Sequence, residues 1–194
     1  MDGSRHSAKN KRIILITVEN LPIDGSKLIN TRVFNDNRGS FEVFWEQDLL
    51  KAKDISFAPT NAHHSYNSRT NTLRGMHFQK APHGQNKLVS CISGKAWDVM
   101  VDLRADSSTF GKWHATELSA ASGNAVLIPA GCGHGFITLQ PNTTIAYLIE
   151  GEYIPDAGRV LRWDDTKVAI QWPCKDPILS EKDATAPDWE QCEF

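Results

Sequence analysis

The part of this sequence richest in side chains able to do chemistry is residues 73–79, which read Leu-Arg-Gly-Met-His-Phe-Gln. Lys87 follows after a short loop. Side chains of a β-strand alternate between its two faces, so His77 and Gln79 would share one face and Arg74 would point to the other. Ionisable side chains among apolar ones on both faces do not suit a simple half-buried strand. The pattern predicts a strand that lines a polar cavity.

Each of these side chains also has an ordinary structural interpretation. A single histidine in an apolar strand is more often a hydrogen-bonded core residue than a catalyst. Lys87 could be an exposed lysine, and Arg74 could form a surface ion pair. The residue types of this stretch alone therefore leave both interpretations open.

The elements that would position these residues are short β-strands. Apolar runs recur with turn signals between them at a spacing of about 8–12 residues, which is typical of an antiparallel sandwich or barrel. The one plausible helix before mid-chain is at residues 47–53, and no repeat of solenoid or propeller length is visible. We predict an all-β protein with a double-sheet jelly roll. Its predicted strands are residues 57–58, 72–79, 87–92, 96–103, 113–118, 125–128, 135–139 and 144–149.

Further segments flank this predicted jelly roll. Residues 1–12 are polar and basic, and we expect a disordered tail there. Residues 13–194 are predicted to form a single domain, because this length buries a core without disulfides. Extra strands are expected in front, at residues 13–18 and 28–34. After Tyr153 the pattern becomes irregular, which predicts a C-terminal segment covering the mouth of the barrel.

Composition and charge argue against several classes of partner. The 194 residues include 21 basic and 23 acidic side chains, a formal charge of −2. Such a balance predicts no nucleic-acid partner and no attraction to anionic membranes. No apolar run fits a signal peptide or a membrane span. The four cysteines are widely scattered and indicate free thiols in a reducing compartment. We expect a cytoplasmic protein.

An ordered set of motifs resembles the dTDP-4-dehydrorhamnose 3,5-epimerase family, whose barrel is cupin-like. No single motif is decisive, but the set follows one order with spacing similar to that of the family. The resemblance implies a cupin-like double-stranded β-helix. The matching segments are residues 36–39, 73–79, 87–89, 94–104, 108–111, 128–136, 170–173 and 179–183, with Tyr147, Tyr153, Pro155, Trp163 and Asp165.

The resemblance also implies a reaction. Family members invert C3 and C5 of a dTDP-linked 4-keto-6-deoxy sugar, in the biosynthesis of dTDP-L-rhamnose or a related deoxysugar. Both carbons lie next to the C4 ketone, so loss of a proton from either gives an enolate that can be reprotonated on the opposite face. Such a site needs a base, a cation or donor for the enolate oxygen, and an acid on the other face.

Four residues receive catalytic roles from the resemblance. His77 is the base, and the carboxylate of Asp183 fixes its tautomer and stabilises the imidazolium. Lys87 stabilises the enolate as a point charge, and Tyr147 delivers a proton from the opposite face. Without the resemblance, Asp183 would be interpreted as a helix cap or turn residue, and Tyr147 as a buried tyrosine with a satisfied hydroxyl.

Substrate-binding roles follow from the same resemblance. Arg38 and Arg74 are expected to grip the diphosphate, because a guanidinium makes paired, charge-assisted hydrogen bonds. Glu42 is expected at the nucleotide end of the pocket. Three more residues fit sugar-contacting or supporting positions: Gln79, His134 and Tyr153.

Two departures from the family pattern concern the nucleotide end of the pocket. Glu42 lies one residue earlier than its family counterpart. The position of a family asparagine is assigned to His64, with Asn61 and Asn67 nearby. The identity of the nucleotide and of the sugar therefore stays open, while the predicted chemistry is unaffected.

No metal or organic cofactor is expected. Many cupins bind a metal through a His-x-His pair with a downstream Glu and His. Here His63 and His64 are adjacent, and His77 has no histidine two residues later. His134 stands alone and is expected to bond to Asp98. This spacing does not assemble a metal site, and the resemblance likewise implies catalysis without metal.

Two other functions and one assembly remain to be considered. The barrel could epimerise only C3 or only C5 of another nucleotide-linked 4-keto sugar, or it could bind a sugar nucleotide without catalysis. The resemblance implies a homodimer in which the front strands cross to the neighbouring subunit. In such a dimer Arg38 would complete the partner's nucleotide pocket.

Overall fold

Two antiparallel β-sheets facing each other make up most of the structure. A computed structural model of the chain describes residues 16–194. The expected tail at residues 1–12 and the first three residues of the strand predicted at 13–18 lie outside the described residues. The larger sheet has six strands in the order β1 (Ile16–Asn20), β2 (Lys27–Thr31), β10 (Asn124–Ile128), β7 (Asn86–Ser93), β12 (Thr143–Glu150) and β5 (Asn61–Asn67).

The second sheet has five strands, and the remaining elements are short. Strands that are neighbours in space are mostly not consecutive in sequence, because the chain crosses repeatedly between the two sheets. This arrangement confirms the predicted jelly roll. The order in the second sheet is β13 (Gly158–Val160), β6 (Leu73–Gln79), β11 (Cys132–Thr138), β8 (Lys95–Asp102) and β9 (Trp113–Ser119). The other elements are a hairpin of β3 (Phe34–Asp36) and β4 (Gly39–Phe41), helices α1 (Gln47–Lys51) and α2 (Glu181–Ala184), and a 3-10 turn at Pro155–Ala157.

Three apolar clusters hold these layers together. The first fills the space between the sheets and includes Val89, Met100 and Phe136. The second lies on the outer face of the five-stranded sheet, where residues of the C-terminal segment such as Trp189 pack against it. The third lies outside the six-stranded sheet and includes Phe57. Both sheets are thus apolar on two faces, which explains why apolar runs predicted most of the strands.

The structure corrects several predicted elements. The run at 57–58 is not a strand; Phe57 is a buried loop residue that packs outside the six-stranded sheet. The strand predicted at 28–34 ends at Thr31, and the chain continues into the separate hairpin. Strand β5 was not predicted, because its sequence, NAHHSYN, is almost entirely polar. It is an edge strand whose side chains are mostly exposed, so hydrophobic alternation cannot reveal it.

The C-terminal segment covers more than the mouth of the barrel. Most of it packs across the outer face of the five-stranded sheet. The backbone of Ile178 is hydrogen-bonded to Asn71 and Leu73, just before and at the start of β6. This attachment brings the short helix α2 beside the middle of β6 and to the edge of the space between the sheets. Neither α-helix in residues 16–194 has the length or apolar character needed to cross a bilayer.

Candidate active site

A cavity of about 570 Å³ opens between the two sheets, at the end where β5 and β6 face each other. The five-stranded sheet supplies His77 and the six-stranded sheet supplies Lys87 and Tyr147, so these groups lie on opposing walls. Helix α2 contributes Asp183 at the rim. All four residues predicted to be catalytic therefore line one cavity, although their sequence positions span more than half of the chain.

Strand β6 departs from regular alternation at the point where the site is built. His77 pairs with His134 of β11, but Arg74 pairs with Phe136, so three residue steps on β6 match two on β11. This bulge turns Arg74 to the same side as His77, and both line the cavity. The alternation predicted for this strand is therefore wrong at Arg74.

Gly75 explains why the chain can bulge there. It has a φ of 136°, a conformation that side chains rarely adopt. A Cβ atom at this position would lie 2.5 Å from the Cα of Gly135 on the neighbouring strand. The guanidinium of Arg74 thus enters the cavity because Gly75, the next residue, has no side chain.

His77 and Asp183 form a hydrogen-bonded pair. The His77 Nε2 atom lies 2.7 Å from Oδ1 of Asp183. The histidine side chain is 44% exposed and the carboxylate only 4%. Burial opposes ionisation of Asp183, but its hydrogen bond and charge interaction with His77 outweigh burial and lower the pKa of the carboxyl. An ionised carboxylate behind a solvent-facing imidazole fixes the tautomer and stabilises the imidazolium, as a general base requires.

Lys87 extends from β7 across the cavity toward β6. Its Nζ atom donates to the main-chain oxygen of His77 at 3.3 Å. Burial lowers the pKa of Lys87 to about 8, while the negative charge of Asp98 acts in the opposite direction. The ammonium group is thus held beside the proposed base. Because its surroundings disfavour the charged form, Lys87 loses its proton more readily than an exposed lysine does.

Tyr147 lies on β12, opposite His77. Its hydroxyl is 3.0 Å from the hydroxyl of Ser65 on β5. Burial raises the pKa of Tyr147 well above its ordinary value, and the hydrogen bond with Ser65 partly offsets this effect. The phenol therefore stays protonated throughout the neutral range and can act as an acid.

A second histidine–carboxylate pair lies deeper in the cavity wall. His134 Nε2 is 2.7 Å from Oδ2 of Asp98, and both side chains are buried. Burial raises the pKa of Asp98, and the neighbouring His134 and Lys87 reduce the effect. The bond expected between His134 and Asp98 is therefore present. His134 also lines the cavity, and its ring centroid is 6.0 Å from that of Tyr147.

Gln79 and Tyr153 also line the cavity. The Gln79 amide donates to the carbonyls of His83 and Glu152 and accepts from the backbone of Ile154. Gln79 thus ties together two loops that frame the cavity, which fits a supporting role better than a direct sugar contact. Tyr153 lines the cavity and is 65% exposed, so its ring is free to meet a ligand at the rim.

The structure places two predicted substrate-binding residues outside the cavity of their own chain. Arg38 lies at the tip of the β3–β4 hairpin, where it is paired with Asp36 and its side chain is 84% exposed. Glu42 lies near Gly123, at the turn between β9 and β10. A single chain therefore does not bring these two side chains to His77.

Several cavity residues were missed by the sequence interpretation. Arg159 from β13 and Lys182 from α2 add positive charge, and Asn61 and His63 line the cavity from β5. Of the two adjacent histidines, it is His63 that lines the cavity, and it pairs in register with Tyr147. Period-two alternation along β5 would have identified His63, had the strand been recognised.

Asn67, also on β5, connects the two sheets. Its side-chain oxygen accepts from Nε of Arg74 at 2.9 Å, and its amide nitrogen donates to the main-chain oxygens of Ser65 and Thr143. Asn67 therefore holds the guanidinium of Arg74 from one side only. The outer nitrogens of its guanidinium have no hydrogen-bond partner within residues 16–194 and can meet an anion.

The charged side chains that line the cavity are predominantly cationic. Arg74, Arg159 and Lys182 are positively charged, and so is Lys87 below its pKa of about 8; among residues 16–194, the only carboxylate in the lining is Asp183. This contrasts with a whole chain of net charge −2. Such a cavity suits a ligand with several negative charges, such as a diphosphate. Within residues 16–194, no three His, Cys, Asp or Glu side chains converge in a way that could hold a metal ion.

Comparison with known proteins agrees with this geometry. The sequence profile described as dTDP-4-dehydrorhamnose 3,5-epimerase matches residues 20–191. An enzyme of that name from Sinorhizobium fredii is 42% identical over 172 residues, covering 87% of each chain. The crystal structure of dTDP-4-dehydrorhamnose 3,5-epimerase from Bacillus anthracis, with TDP and pyrophosphate bound, has a TM-score of 0.86 at 37% identity, covering 90% of this chain and 99% of that one.

A structural relative with a narrower activity is a 3'-monoepimerase from Streptomyces bikiniensis in complex with dTDP-quinovose. It has a TM-score of 0.79 at 30% identity, covering 87% of this chain and 85% of that one. The profile match spans most of the chain, and the identity to the Sinorhizobium enzyme extends over nearly all of both proteins. This chain therefore belongs to the dTDP-4-dehydrorhamnose 3,5-epimerase family, a family of isomerases with the cupin-like jelly-roll fold.

Proposed function

We propose that this protein is a dTDP-4-dehydrorhamnose 3,5-epimerase, which inverts C3 and C5 of a dTDP-linked 4-keto-6-deoxyhexose in deoxysugar biosynthesis. The observation that carries the proposal is the placement of His77 and Tyr147 on opposite walls of one cavity, with the Lys87 ammonium beside His77. A base on one face and an acid on the other are what inversion at a carbon requires. A binding module would have no need of this arrangement.

The proposed reaction begins at His77. Its Nε2 atom is engaged by Asp183, which leaves Nδ1 to remove the proton from C3 or C5. The electron pair of the broken C–H bond moves onto the C4 oxygen, where the Lys87 ammonium stabilises the negative charge. Tyr147 then donates its phenolic proton to the opposite face of the same carbon. The cycle closes when His77 loses its proton to solvent and Tyr147 regains one.

Binding of the substrate is assigned to the cationic part of the cavity lining. We propose that Arg74 grips the diphosphate, because Asn67 engages only its Nε atom and leaves the outer nitrogens available. Tyr153 and His134 face the same cavity and are proposed to contact the sugar. Gln79 is proposed to shape the site through the loops that it holds. The reaction proposed here uses no metal or organic cofactor.

The experiment that tests this proposal follows hydrogen exchange at the sugar. The protein is incubated with dTDP-4-keto-6-deoxy-D-glucose in deuterated water, and C3 and C5 are followed by NMR. We expect deuterium at both carbons together with inversion. The absence of exchange at either carbon would contradict an epimerase acting on this substrate.

A monoepimerase is the second candidate function, and it is favoured by the similarity to the Streptomyces bikiniensis enzyme. One base and one acid can serve either carbon, so the residues described above do not separate the two activities. The same NMR experiment does separate them. Exchange and inversion at a single carbon would identify a monoepimerase with the same catalytic residues.

We also propose a setting for this function. Residues 13–194 would form one domain and the protein would act in the cytoplasm, which fits four cysteines that are all free. It would act as a homodimer. Arg38 and Glu42 lie outside their own cavity, and the hairpin bearing Arg38 exposes Phe34 and Phe41. In the proposed dimer this hairpin reaches the second subunit, and Arg38 completes the nucleotide pocket there.

Mixing two defective variants tests the shared site. Arg38→Ala should lower kcat/KM by about tenfold or more, because a charge-assisted contact to phosphate is lost. His77→Asn should be inactive. After unfolding and refolding together at equal amounts, random pairing makes half of the dimers mixed, and one of their two sites is intact, so roughly a quarter of wild-type activity should return. Activity equal to the average of the two variants refolded separately would contradict a site built from two chains.

A further inference from the structure

We infer that Ser65 is a positioning residue for the proposed acid Tyr147, and that its hydroxyl donates a hydrogen bond to the phenolate left behind when Tyr147 gives its proton to the sugar. The inference rests on the proposed function, since it concerns the proton delivered to C3 or C5. It is carried by the contact between the two hydroxyls and by the way β5 holds it.

The register of the sheet brings the two hydroxyl groups together. Ser65 pairs with Ile145 of β12, and Tyr147 lies two residues farther along the same strand. Diagonal neighbours of this kind project from the same face of an antiparallel pair. The two oxygen atoms are 3.0 Å apart. Within residues 16–194, Ser65 provides the only hydrogen bond to the Tyr147 hydroxyl.

Asn67 holds the serine in place. Its amide nitrogen donates to the main-chain oxygen of Ser65 at 3.2 Å and to that of Thr143 at 3.1 Å. Its side-chain oxygen is engaged by Arg74. Two residues after the serine, the edge strand is thus fixed both to β12 and to the opposite sheet. The hydroxyl of Ser65 is therefore presented to Tyr147 by a rigid support.

The Ser65 hydroxyl matters most when Tyr147 is ionised. When the phenolic O–H bond breaks and the proton forms a C–H bond with the sugar carbon, a negative charge remains on the Tyr147 oxygen. Burial disfavours that charge, as the raised pKa of Tyr147 shows, and the contact with Ser65 acts against the rise. A hydrogen bond is stronger to a charged oxygen than to a neutral one, so Ser65 stabilises the later part of the step selectively.

The position of Ser65 also suits the return of the proton. It is half-buried on β5, the last strand of the six-stranded sheet, between the exposed residues His64 and Tyr66. A serine hydroxyl both donates and accepts. It can pass its proton to the phenolate while accepting one from water, which restores Tyr147 and leaves Ser65 unchanged.

The test compares two variants of almost equal shape, Ser65→Thr and Ser65→Val. Threonine keeps the hydroxyl and valine lacks it, and both suit a β-strand. The wild-type protein and each variant are incubated with the 4-keto sugar in deuterated water. Two rates are measured: deuterium incorporation into the unchanged sugar, which reports proton removal and return by His77, and formation of the inverted sugar, which also needs Tyr147.

The relevant quantity is the rate of deuterium incorporation into the unchanged sugar divided by the rate of inversion. We expect this ratio to rise about tenfold to a hundredfold in Ser65→Val, the range for one hydrogen bond to a charged group. The ratio in Ser65→Thr should stay near that of the wild type. Ser93→Ala, which removes a hydroxyl bonded to Asn142 away from the cavity, should change neither rate.

A merely structural role of Ser65 would lower both rates in parallel, so an unchanged ratio in Ser65→Val would overturn the inference. The proposed function would still stand in that case, because it is tested by the activity of the wild-type protein. Failure of the wild type to exchange or invert would instead overturn the proposed function, and the role of Ser65 with it. Ser65→Ala provides the same comparison if the branched side chains prevent folding.

Discussion

Replacement of His77 by asparagine is expected to lower turnover by roughly 10³–10⁴-fold, the upper part of the range for a general base. Asparagine is close to histidine in size and its amide N–H can still donate a hydrogen bond to Asp183, but the amide does not take up a proton near neutral pH. Binding should be nearly unchanged, because His77 contributes no permanent charge to the diphosphate end of the cavity. The measurements are kcat for epimerisation and the affinity for dTDP by calorimetry.

His114→Asn is the matched control for this prediction. His114 lies on β9, away from the cavity lining, and pairs with Met100 in the sheet. This variant should keep wild-type turnover. Turnover within a few fold of wild type in His77→Asn would show that another group removes the proton. An equal loss of dTDP affinity and turnover would point to a disturbed cavity rather than a missing base.

The second large effect concerns Lys87. Its replacement by methionine should lower kcat by roughly 10²–10³-fold, the typical result of removing one group that stabilises an oxyanion. Methionine keeps the unbranched side chain while removing the charge, so the cavity should retain its shape. The enolate oxygen would then develop its charge beside an apolar group.

The pH dependence of the wild type identifies the charge of Lys87 as the cause. Burial lowers its pKa to about 8, and a lysine is charged only below its pKa. As pH rises through about 8, Lys87 becomes neutral and kcat should fall, approaching tenfold per pH unit above that point. In Lys87→Met the residual activity should lack this alkaline decline.

Lys95→Met is the control for Lys87→Met. Lys95 lies on β8 and pairs with Glu117 at the edge of the sheet, and it does not line the cavity. Its loss should leave both kcat and the pH profile unchanged, because such exposed ion pairs contribute little. An alkaline decline that persists in Lys87→Met would assign the titration to another group.

The class of fold and the chemical groups of the site could both be predicted from the amino-acid sequence. Most strands of the jelly roll bury side chains between or outside the sheets, so their apolar runs were visible without a structure. The motif of residues 73–79 and Lys87 were recognisable because imidazole, guanidinium and ammonium groups are unusual among apolar strand residues. The family resemblance then joined these residues to Tyr147 and Asp183, which no local pattern could have done.

How these groups come together depends on contacts that form only in the folded chain. The bulge at Gly75 places Arg74 beside His77 because a glycine on each of two neighbouring strands permits close approach, and regular alternation would have separated them. Strand β5 could not be recognised from hydrophobic alternation, because an exposed edge strand needs no apolar side chains. The functional positions of His63 and Ser65 were missed with it, and so was the bond from Asn67 to Arg74.

The same limit applies to the front hairpin. The resemblance assigns Arg38 and Glu42 to a nucleotide pocket and implies that Arg38 serves the partner's, but no local pattern in the sequence shows this. The structure places both outside their own cavity, and the hairpin that bears Arg38 pairs with neither of the two large sheets. The sequence thus determined which groups are present and which layers form, since these depend on local residue types and burial. The bulge, the edge strand and the direction of the hairpin depend on contacts between distant residues, and only the folded chain settles them.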